Sequence, residues 1–215
     1  MNVGAAAELG RLLADYPGLQ VIKEQIRQAF VMLRKCVVND GVIYCCGNGG
    51  SAADCEHIVG ELMKGYKLQR ELPAEKRQSF ADHYGERGAA IAGCLQSAIR
   101  AQSLVSQASL MSAYNNDINC EYVFAQQIYG YGREKDVLWA LSTSGNSANV
   151  VNAAITAREK KIAVLAMTGA EGGELADIAD VCLKVPYRET DRTQECHLAV
   201  YHCLCAMLEK QFFEN

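Results

Sequence analysis

The sequence predicts an α/β fold, a three-layer αβα sandwich with a central parallel sheet. Three short unbroken apolar runs carry this prediction, because a Gly/Ser-rich turn and then a helical pattern follow each of them. The runs are GVIYCC (41–46), DVLWAL (136–141) and IAVLAM (162–167). Apolar strands that alternate with helices are typical of βαβ units, whose parallel strands are buried on both faces. A further run, VCLKVP (181–186), adds a strand to the sheet.

Apolar spacing of three and four predicts the flanking helices. It occurs at 5–15 and 20–38, which we expect to pack together, and in the closing segment TQECHLAVYHCLCAMLEKQFFEN. We therefore divide one domain, residues 1–215, into N-terminal helices (1–40), a sheet core with its closing helix (41–66 and 115–215) and an extra helical tract (67–114). Gly85, Gly88 and Gly93 are expected to break this tract into shorter pieces.

Composition limits the function classes. The chain has 215 residues, 50% of them hydrophobic and 21% charged, which excludes collagen-like and disordered classes. Its 21 basic and 25 acidic residues give a net charge of −4 and form no long runs, so any anion site must be local and no nucleic-acid partner is expected. No stretch approaches the ~20 apolar residues of a membrane span, and the N-terminus lacks the basic start of a signal peptide. We expect a cytoplasmic protein with no membrane partner.

Ten cysteines allow two interpretations. Most lie inside apolar runs and none forms a C-x-x-C motif, so buried, inert thiols in a reducing cytosol are favoured. A redox or thiolate-metal role is the alternative.

Two loops are candidates for binding an anion. Gly47-Asn48-Gly49-Gly50-Ser51 and Ser142-Thr143-Ser144-Gly145-Asn146-Ser147 each follow a predicted strand and open a helix. Open α/β sheets bind ligands at this position, and backbone N–H groups at a helix start favour an anion. Neither loop has the spacing of a P-loop or a dinucleotide fingerprint. The alternative is that both are ordinary turns with a Ser or Asn cap.

Two further segments carry candidate acid–base or metal-binding groups. His57 and Glu61 are four residues apart and share one helix face, where they could bind a divalent metal, transfer protons or form a simple surface pair. Near the closing helix, His197 and His202 lie 140° apart at about 100° per residue, so they cannot share one site. A core or capping role is the alternative for either histidine.

Together, GNGGSAADCEH-x-x-x-E, STSGNSANV and DRTQECH-x-x-x-x-H resemble the sugar isomerase (SIS) domain, a flavodoxin-like fold. Within that group they resemble bacterial phosphoheptose isomerases, which convert sedoheptulose 7-phosphate to D-glycero-D-manno-heptose 7-phosphate. The resemblance covers residues 20–66 and 114–213. It implies a phosphosugar substrate, one Zn²⁺ per subunit and a homotetramer with its sites at subunit interfaces.

The resemblance also implies roles for individual residues. The implied zinc ligands are His57, Glu61, Gln194 and His202. The residues implied to contact the sugar or its phosphate are Asn48, Gly49, Gly50, Ser51, Glu61, Asn116, Asp117, Ser142, Thr143, Ser144, Ser147, Asp191 and Gln194. Aldose–ketose isomerisation needs a base to move a proton between C1 and C2 and an acid to serve the oxygens, and we assign these roles to Glu61 and His202.

One distance complicates this zinc site. Eight helical residues separate Gln194 from His202, a span of about 12 Å. Either Gln194 precedes the helix, or the ligands come from two subunits.

Three functions are compatible with these residues. The first is the heptose phosphate isomerase. The second is an isomerase for another phosphosugar, because the tract 67–114 looks longer than the corresponding family segment. The third is a non-catalytic phosphosugar-sensing tetramer that binds a replication initiator. The presence of His57, Glu61, Gln194 and His202 favours catalysis over pure binding.

Overall fold

The computed structural model describes residues 1–214, in which helices surround one sheet. The strands are β1 (Ile43–Cys46), β2 (Ala101–Ser103), β3 (Val137–Leu141), β4 (Ala163–Thr168) and β5 (Val181–Lys184). The α-helices are α1 (Val3–Asp15), α2 (Lys23–Val38), α3 (Gly50–Met63), α4 (Ala74–Cys94), α5 (Ala108–Asp117), α6 (Val123–Tyr131), α7 (Ala148–Glu159), α8 (Gly173–Ile178) and α9 (Thr190–Phe213). Short 3-10 helices cover Pro17–Ile22 and Cys120–Tyr122.

The sheet is entirely parallel, with the strand order β2-β1-β3-β4-β5. This is the order of flavodoxin-like folds, in which the chain reverses direction across the sheet between β1 and β3. Ile43 of β1 pairs with Val137 of β3, and Val137 pairs with Ala163 of β4. The predicted three-layer αβα sandwich with a parallel sheet is confirmed.

Alternation along the strands divides the core into two layers. Odd-numbered residues such as Cys45 and Trp139 pack against α2, α3 and α9, whereas even-numbered residues such as Leu138 and Ala166 pack against α6, α7 and α8. Both faces of the sheet are buried, which explains why β1, β3 and β4 appear in the sequence as unbroken apolar runs.

The N-terminal helices form as predicted, but they pack differently. Helix α1 lies along α9, whereas α2 contacts both α9 and the sheet strands β3, β4 and β5. Their apolar faces join the same core layer as α9, through residues such as Leu9, Phe30 and Leu204. The expectation that the two helices pack mainly on each other is corrected: α1 packs on α9, and α2 packs on α9 and directly on the sheet.

The tract 67–114 is not purely helical, which corrects the sequence-based expectation. Helix α4 bends at Gly85 (φ 57°, ψ −141°), as expected, but it continues through Gly88 and Gly93. After α4 the chain forms β2, which pairs with β1 at the edge of the sheet. This strand has only three residues, Ala101, Gln102 and Ser103, and is partly exposed. The apolar run that identifies the other strands is therefore absent from it.

All ten cysteines are free thiols, and seven of them are buried. Burial raises the pKa of the Cys46 and Cys203 thiols to about 12, which suppresses the reactive thiolate. Cys94 and Cys120 are exposed, and Cys182 is half-buried. Within residues 1–214, no helix is long and apolar enough to cross a membrane.

Candidate functional site

The two predicted loops meet at the carboxyl ends of β1 and β3, which are neighbours in the sheet. The first loop places Gly49 at φ +55°, directly before α3. In the second, Gly145 has φ +71°, and a Cβ there would lie 1.9 Å from the carbonyl oxygen of Gly172. Both the positive φ and the close approach of another backbone segment require glycine at position 145.

Hydrogen bonds within the second loop fix its hydroxyl groups. The backbone N–H of Gly145 donates to the Ser142 hydroxyl (3.1 Å) and to the Ser142 carbonyl (3.0 Å). The hydroxyls of Ser142 and Ser147 are 3.0 Å apart. Ser142 is buried, so its side chain has a defined position before any ligand binds.

Two asparagines connect the loops. The side-chain amide of Asn48 donates to Asn149 (2.8 Å), and that of Asn149 donates back to Asn48 (2.9 Å). This reciprocal pair joins the first loop to the first turn of α7.

A cavity of about 280 Å³ lies between the loops and the start of α9. We call it the anion cavity. Its lining residues are Asn48, Gly49, Gly50, Ser51, Leu141, Ser142, Thr143, Ser147, Thr190 and Gln194. All ten are uncharged, so an anion here would be held by hydroxyls, amides and the N-terminal N–H groups of α3 and α7. A Cβ on Gly50 would approach the Gln194 side chain to 2.5 Å, so glycine at this position makes room for the glutamine.

Further along α3 and α9, three side chains form what we call the histidine cluster: His57, Glu61 and His202. The Nε2 atom of His57 lies 3.3 Å from Glu61 Oε1 and 3.3 Å from His202 Nε2. Glu61 is buried, and its Oε2 has no hydrogen-bond partner within residues 1–214. Lys64 Nζ is 3.8 Å from that oxygen, beyond hydrogen-bonding distance.

Aromatic neighbours support the cluster. The hydroxyl of Tyr201 is 2.9 Å from His57 Nδ1, and the ring of Tyr66 stacks on His202 with centroids 5.6 Å apart. Burial lowers the pKa of His202, and the nearby His57 lowers it further, while Glu61 opposes both effects. Neutral His202 is therefore favoured in this structure.

The donor set of this cluster suits a divalent metal in part. Two imidazole nitrogens and a carboxylate are ligands that Zn²⁺ prefers, and tetrahedral coordination at ~2.0 Å places neighbouring ligand atoms ~3.3 Å apart. Both measured separations have this length, and the unpartnered Oε2 of Glu61 is an acceptor without a donor. However, residues 1–214 contain no complete cluster of three or more His, Cys, Asp or Glu side chains in metal-binding geometry.

Gln194 is not part of the histidine cluster. It lies inside α9, so it does not precede the helix, and its side chain faces Gly50 in the anion cavity. The explanation that Gln194 precedes the helix is therefore wrong, and the contribution of ligands by two subunits stays a prediction.

Other candidate residues from the sequence lie outside both the anion cavity and the histidine cluster. Ser144 is exposed and accepts a hydrogen bond from the Asn146 N–H. Asn116 and Asp117 are exposed at the end of α5 and bond to each other (2.9 Å), and Asp191 is exposed in the first turn of α9. His197 is fully buried and separate from His202, as its angular position on the helix predicted.

Sequence reasoning missed Thr190 in the anion cavity, the Asn48–Asn149 pair and Tyr201. Asn149 immediately follows the serine-rich loop and could have been included on that ground. Tyr201 directly precedes His202, but nothing in the sequence indicates that its hydroxyl reaches α3.

Comparisons with known proteins agree with this architecture. Residues 19–76 and 78–169 match the SIS domain family, a range that includes almost all of the tract 67–114. The phosphoheptose isomerase of Laribacter hongkongensis is 34% identical over 200 residues, which cover 92% of this chain and 89% of the relative. That of Haemophilus ducreyi is 37% identical, with 95% and 90% covered. The phosphoheptose isomerase structure from Neisseria gonorrhoeae superposes with a TM-score of 0.72 at 33% identity and covers 95% of this chain and 94% of its own.

Proposed function

Because the chain belongs to the phosphoheptose isomerase family of SIS-domain proteins and is a sugar-phosphate isomerase, we propose that it converts sedoheptulose 7-phosphate to D-glycero-D-manno-heptose 7-phosphate. The observation that carries this proposal is that α9 contributes Gln194 to the anion cavity and His202 to the histidine cluster. One helix thereby connects a place for the phosphate with a place for proton transfer.

The separation of these residues favours a long substrate. Gln194 and His202 are eight residues apart on α9, a rise of about 12 Å at 1.5 Å per residue. An extended heptose 7-phosphate spans about 10 Å from C1 to phosphorus, taking roughly 1.3 Å of advance for each bond of ~1.5 Å. A hexose 6-phosphate is one bond shorter. A seven-carbon substrate therefore reaches the histidine cluster more easily while its phosphate stays in the anion cavity.

The phosphate end is bound by neutral donors. The hydroxyls of Ser142, Thr143 and Ser147 and the amide of Gln194 surround the anion cavity, with Ser51 at the start of α3. Hydrogen bonds hold the hydroxyls of Ser142 and Ser147 in place before binding, so these two side chains lose little conformational entropy when the phosphate enters. This arrangement fixes one end of the sugar and orients the other.

Proton transfer takes place at the other end. Glu61 removes a proton from C1 of the ketose and returns it to C2 of the resulting enediolate, while His202 exchanges a proton with the substrate oxygens. The lowered pKa of His202 keeps its imidazole neutral, so that it can accept a proton, and makes it a ready donor once protonated. The burial of Glu61 limits competing proton exchange with water.

His57, Glu61 and His202 would hold a Zn²⁺ ion, one per subunit. When bound, such an ion would act as a Lewis acid that stabilises negative charge on the substrate oxygens. Glu61 can act both as a metal ligand and as the base because its two oxygens differ. Oε1 lies beside His57, whereas Oε2 has no partner in the described chain. Gln194 would either join this site from a neighbouring subunit or contact the sugar from the anion cavity.

We extend the proposal to assembly and location. A homotetramer would allow subunits to share ligands, which agrees with the distance between Gln194 and His202 within one chain. Ten free cysteines are compatible with the reducing cytoplasm. Light scattering of the purified protein tests the oligomeric state, and a monomeric mass would contradict this extension.

The test of the function is turnover of sedoheptulose 7-phosphate by purified protein, with Zn²⁺ and after chelation. We expect metal-dependent formation of the aldose, reduced about 1,000-fold in Glu61→Gln, because general base catalysis contributes 10²–10⁴-fold. His83→Gln is the matched control, since His83 is exposed on α4. Fructose 6-phosphate should be a poor substrate. Equal turnover of the hexose would overturn the length argument, and phosphosugar binding without turnover under any metal would favour a regulatory protein.

A further inference from the structure

Asn149 directs its side chain to the other loop. It lies in the first turn of α7, and its amide exchanges two hydrogen bonds, at 2.8 and 2.9 Å, with the amide of Asn48 in the first loop. The two residues are 101 positions apart in the sequence. Because the loops follow the neighbouring strands β1 and β3, the pair bridges them at the point where open α/β sheets bind ligands.

The reciprocal arrangement orients the amide of Asn48 more strictly than one hydrogen bond would. An asparagine amide has two N–H donors and two acceptor lone pairs on its oxygen. The pair uses one donor and one lone pair of each residue. Turning over either amide by itself would bring oxygen to oxygen and nitrogen to nitrogen, so both bonds would be lost together. Asn48 is therefore held with one N–H and one lone pair that the pair does not use.

These remaining groups of Asn48 suit a hydroxyl. Asn48 lines the anion cavity, so a ligand there can reach its amide. A phosphate dianion only accepts hydrogen bonds, whereas a sugar hydroxyl donates and accepts at the same time. The amide of Asn48 can therefore bind a hydroxyl beside the phosphate through both its N–H and its oxygen, and it contributes to recognition of the sugar more than of the phosphate.

Without its partner, Asn48 would have a second place to go. Asn48 and Gly49 also line a cavity of about 440 Å³, which adjoins the anion cavity at these two residues and includes Val105, Met111 and Phe124. Asn48 itself is exposed, so packing does little to hold its side chain. The two hydrogen bonds from α7 therefore hold its amide between the loops and away from this second cavity.

We propose that Asn149 is a positioning residue that holds Asn48 in the orientation that binds a sugar hydroxyl next to the phosphate. The inference rests on the proposed function, because it assumes a phosphosugar in the anion cavity. It adds a source of selectivity: Ser142, Thr143 and Ser147 would bind the phosphate of any ester, whereas the Asn48–Asn149 pair favours an ester that carries hydroxyl groups. Water competes for the hydrogen bonds of this exposed pair, so its contribution to folding stability is small.

Steady-state kinetics with sedoheptulose 7-phosphate tests the positioning role. Asn149→Leu keeps the branched shape of the side chain and removes both hydrogen bonds. We expect KM to rise about tenfold, the effect of one lost neutral hydrogen bond, while kcat is unchanged, because the hydroxyl is bound equally in the ground state and the transition state. Asn152→Leu is the matched control: this half-buried residue also lies on α7 and donates to the carbonyl of Glu121 (3.0 Å), outside the anion cavity. Equal effects of the two variants, or a fall in kcat at constant KM, would overturn the proposal.

A double-mutant cycle tests whether Asn149 acts through Asn48. Asn48→Ala alone should raise KM about tenfold, the effect of the same lost hydrogen bond. Adding Asn149→Leu should raise KM no further, since the amide that Asn149 orients is then absent. If the two effects multiply to about a hundredfold, Asn149 contributes to binding by another route, and the positioning role is wrong.

Calorimetric binding separates this inference from the proposed function. The first probe is a heptitol 7-phosphate, which keeps the hydroxyls of the sugar but has no carbonyl and cannot isomerise, and the second is inorganic phosphate. Asn149→Leu should weaken binding of the heptitol phosphate about tenfold and leave the affinity for inorganic phosphate unchanged. Equal weakening of both would contradict hydroxyl recognition. If the wild type binds the heptitol phosphate but does not isomerise sedoheptulose 7-phosphate, the proposed function fails, while the comparison of the two probes still decides the role of Asn149. A wild type that binds neither probe would overturn both.

Discussion

The anion cavity and the histidine cluster lie on the same two helices, yet they are built in different ways. The cavity consists mainly of backbone and short side chains in loops that directly follow β1 and β3. The cluster consists of long side chains from the middle of α3 and α9, separated by 145 residues between His57 and His202. The proposed binding site thus follows from strand ends, whereas the proposed catalytic site follows from helix packing.

This difference predicts which substitutions affect each region. The cavity depends on local turn geometry, including the positive φ of Gly49 and Gly145. The cluster depends on the distance between two helices, which the surrounding core and buried polar contacts determine. Changes in the core should therefore disturb the cluster first, and changes in the loops should affect phosphate binding alone.

Arg70→Met should have the largest effect. Arg70 and Glu209 form a fully buried ion pair (2.7 Å), and Arg70 also donates to the carbonyls of Leu62 and Glu61. The variant leaves the Glu209 charge unpaired and removes the support behind Glu61. We expect the free energy of unfolding to fall by about 3–5 kcal/mol, measured by urea titration at fixed protein concentration. Turnover should fall in the folded variant while phosphate binding is retained.

Two further variants sharpen this prediction. Arg77→Met removes an exposed pair with Glu71 and should cost less than about 1 kcal/mol. Arg70→Met/Glu209→Gln removes the unpaired charge and keeps one side-chain oxygen, which can still accept from the N–H groups of Lys67 and Leu68 but not from that of Tyr66, so it should regain part of the loss. A double variant as unstable as the single one would mean that the charge is not the cause.

The same contrast explains how much of the molecule could be predicted from its sequence. The strands β1, β3 and β4 and both loops were predictable, because apolar runs and Gly/Ser turns are local signals. Strand β2 was missed since Ala101, Gln102 and Ser103 lack such a run. The contact between Tyr201 and His57 was also missed, because it depends on the rotation of α9 against α3. The separation of Gln194 from the histidine cluster followed correctly from helix geometry.

His197 lies on α9 between the residues that serve the two regions, and it gives a pH-dependent effect. Burial lowers its pKa to about 4, with the backbone of Thr168 opposing the shift. Between pH ~6.5 and ~4 the unfolded chain binds a proton that the folded chain does not, so stability falls as the pH falls through this window. The loss should reach about 3 kcal/mol by pH 4, since one pKa unit equals ~1.4 kcal/mol.

Comparing how the unfolding free energy changes with pH in two variants isolates the contribution of His197. His197→Leu should flatten the decrease in unfolding free energy between pH 6.5 and 4, whereas His83→Leu, at an exposed position, should leave it unchanged. The carboxyl groups affect all three proteins and cancel in the difference. Equal slopes in wild type and His197→Leu would mean that protonation of this histidine does not destabilise the fold.

Ser142→Ala should have the smallest effect and tests whether the two regions act separately. The variant removes a hydroxyl that lines the anion cavity, but Gly145 N–H keeps its bond to the Ser142 carbonyl (3.0 Å), so the turn survives. One lost neutral hydrogen bond costs about 1–1.5 kcal/mol, so KM should rise about tenfold while kcat is unchanged. Ser112→Ala is the control, since this exposed hydroxyl bonds only to its own helix at Ser109. A fall in kcat at constant KM would mean that the phosphate contacts strengthen in the transition state. The loops would then contribute to catalysis, and the two regions would work as one unit.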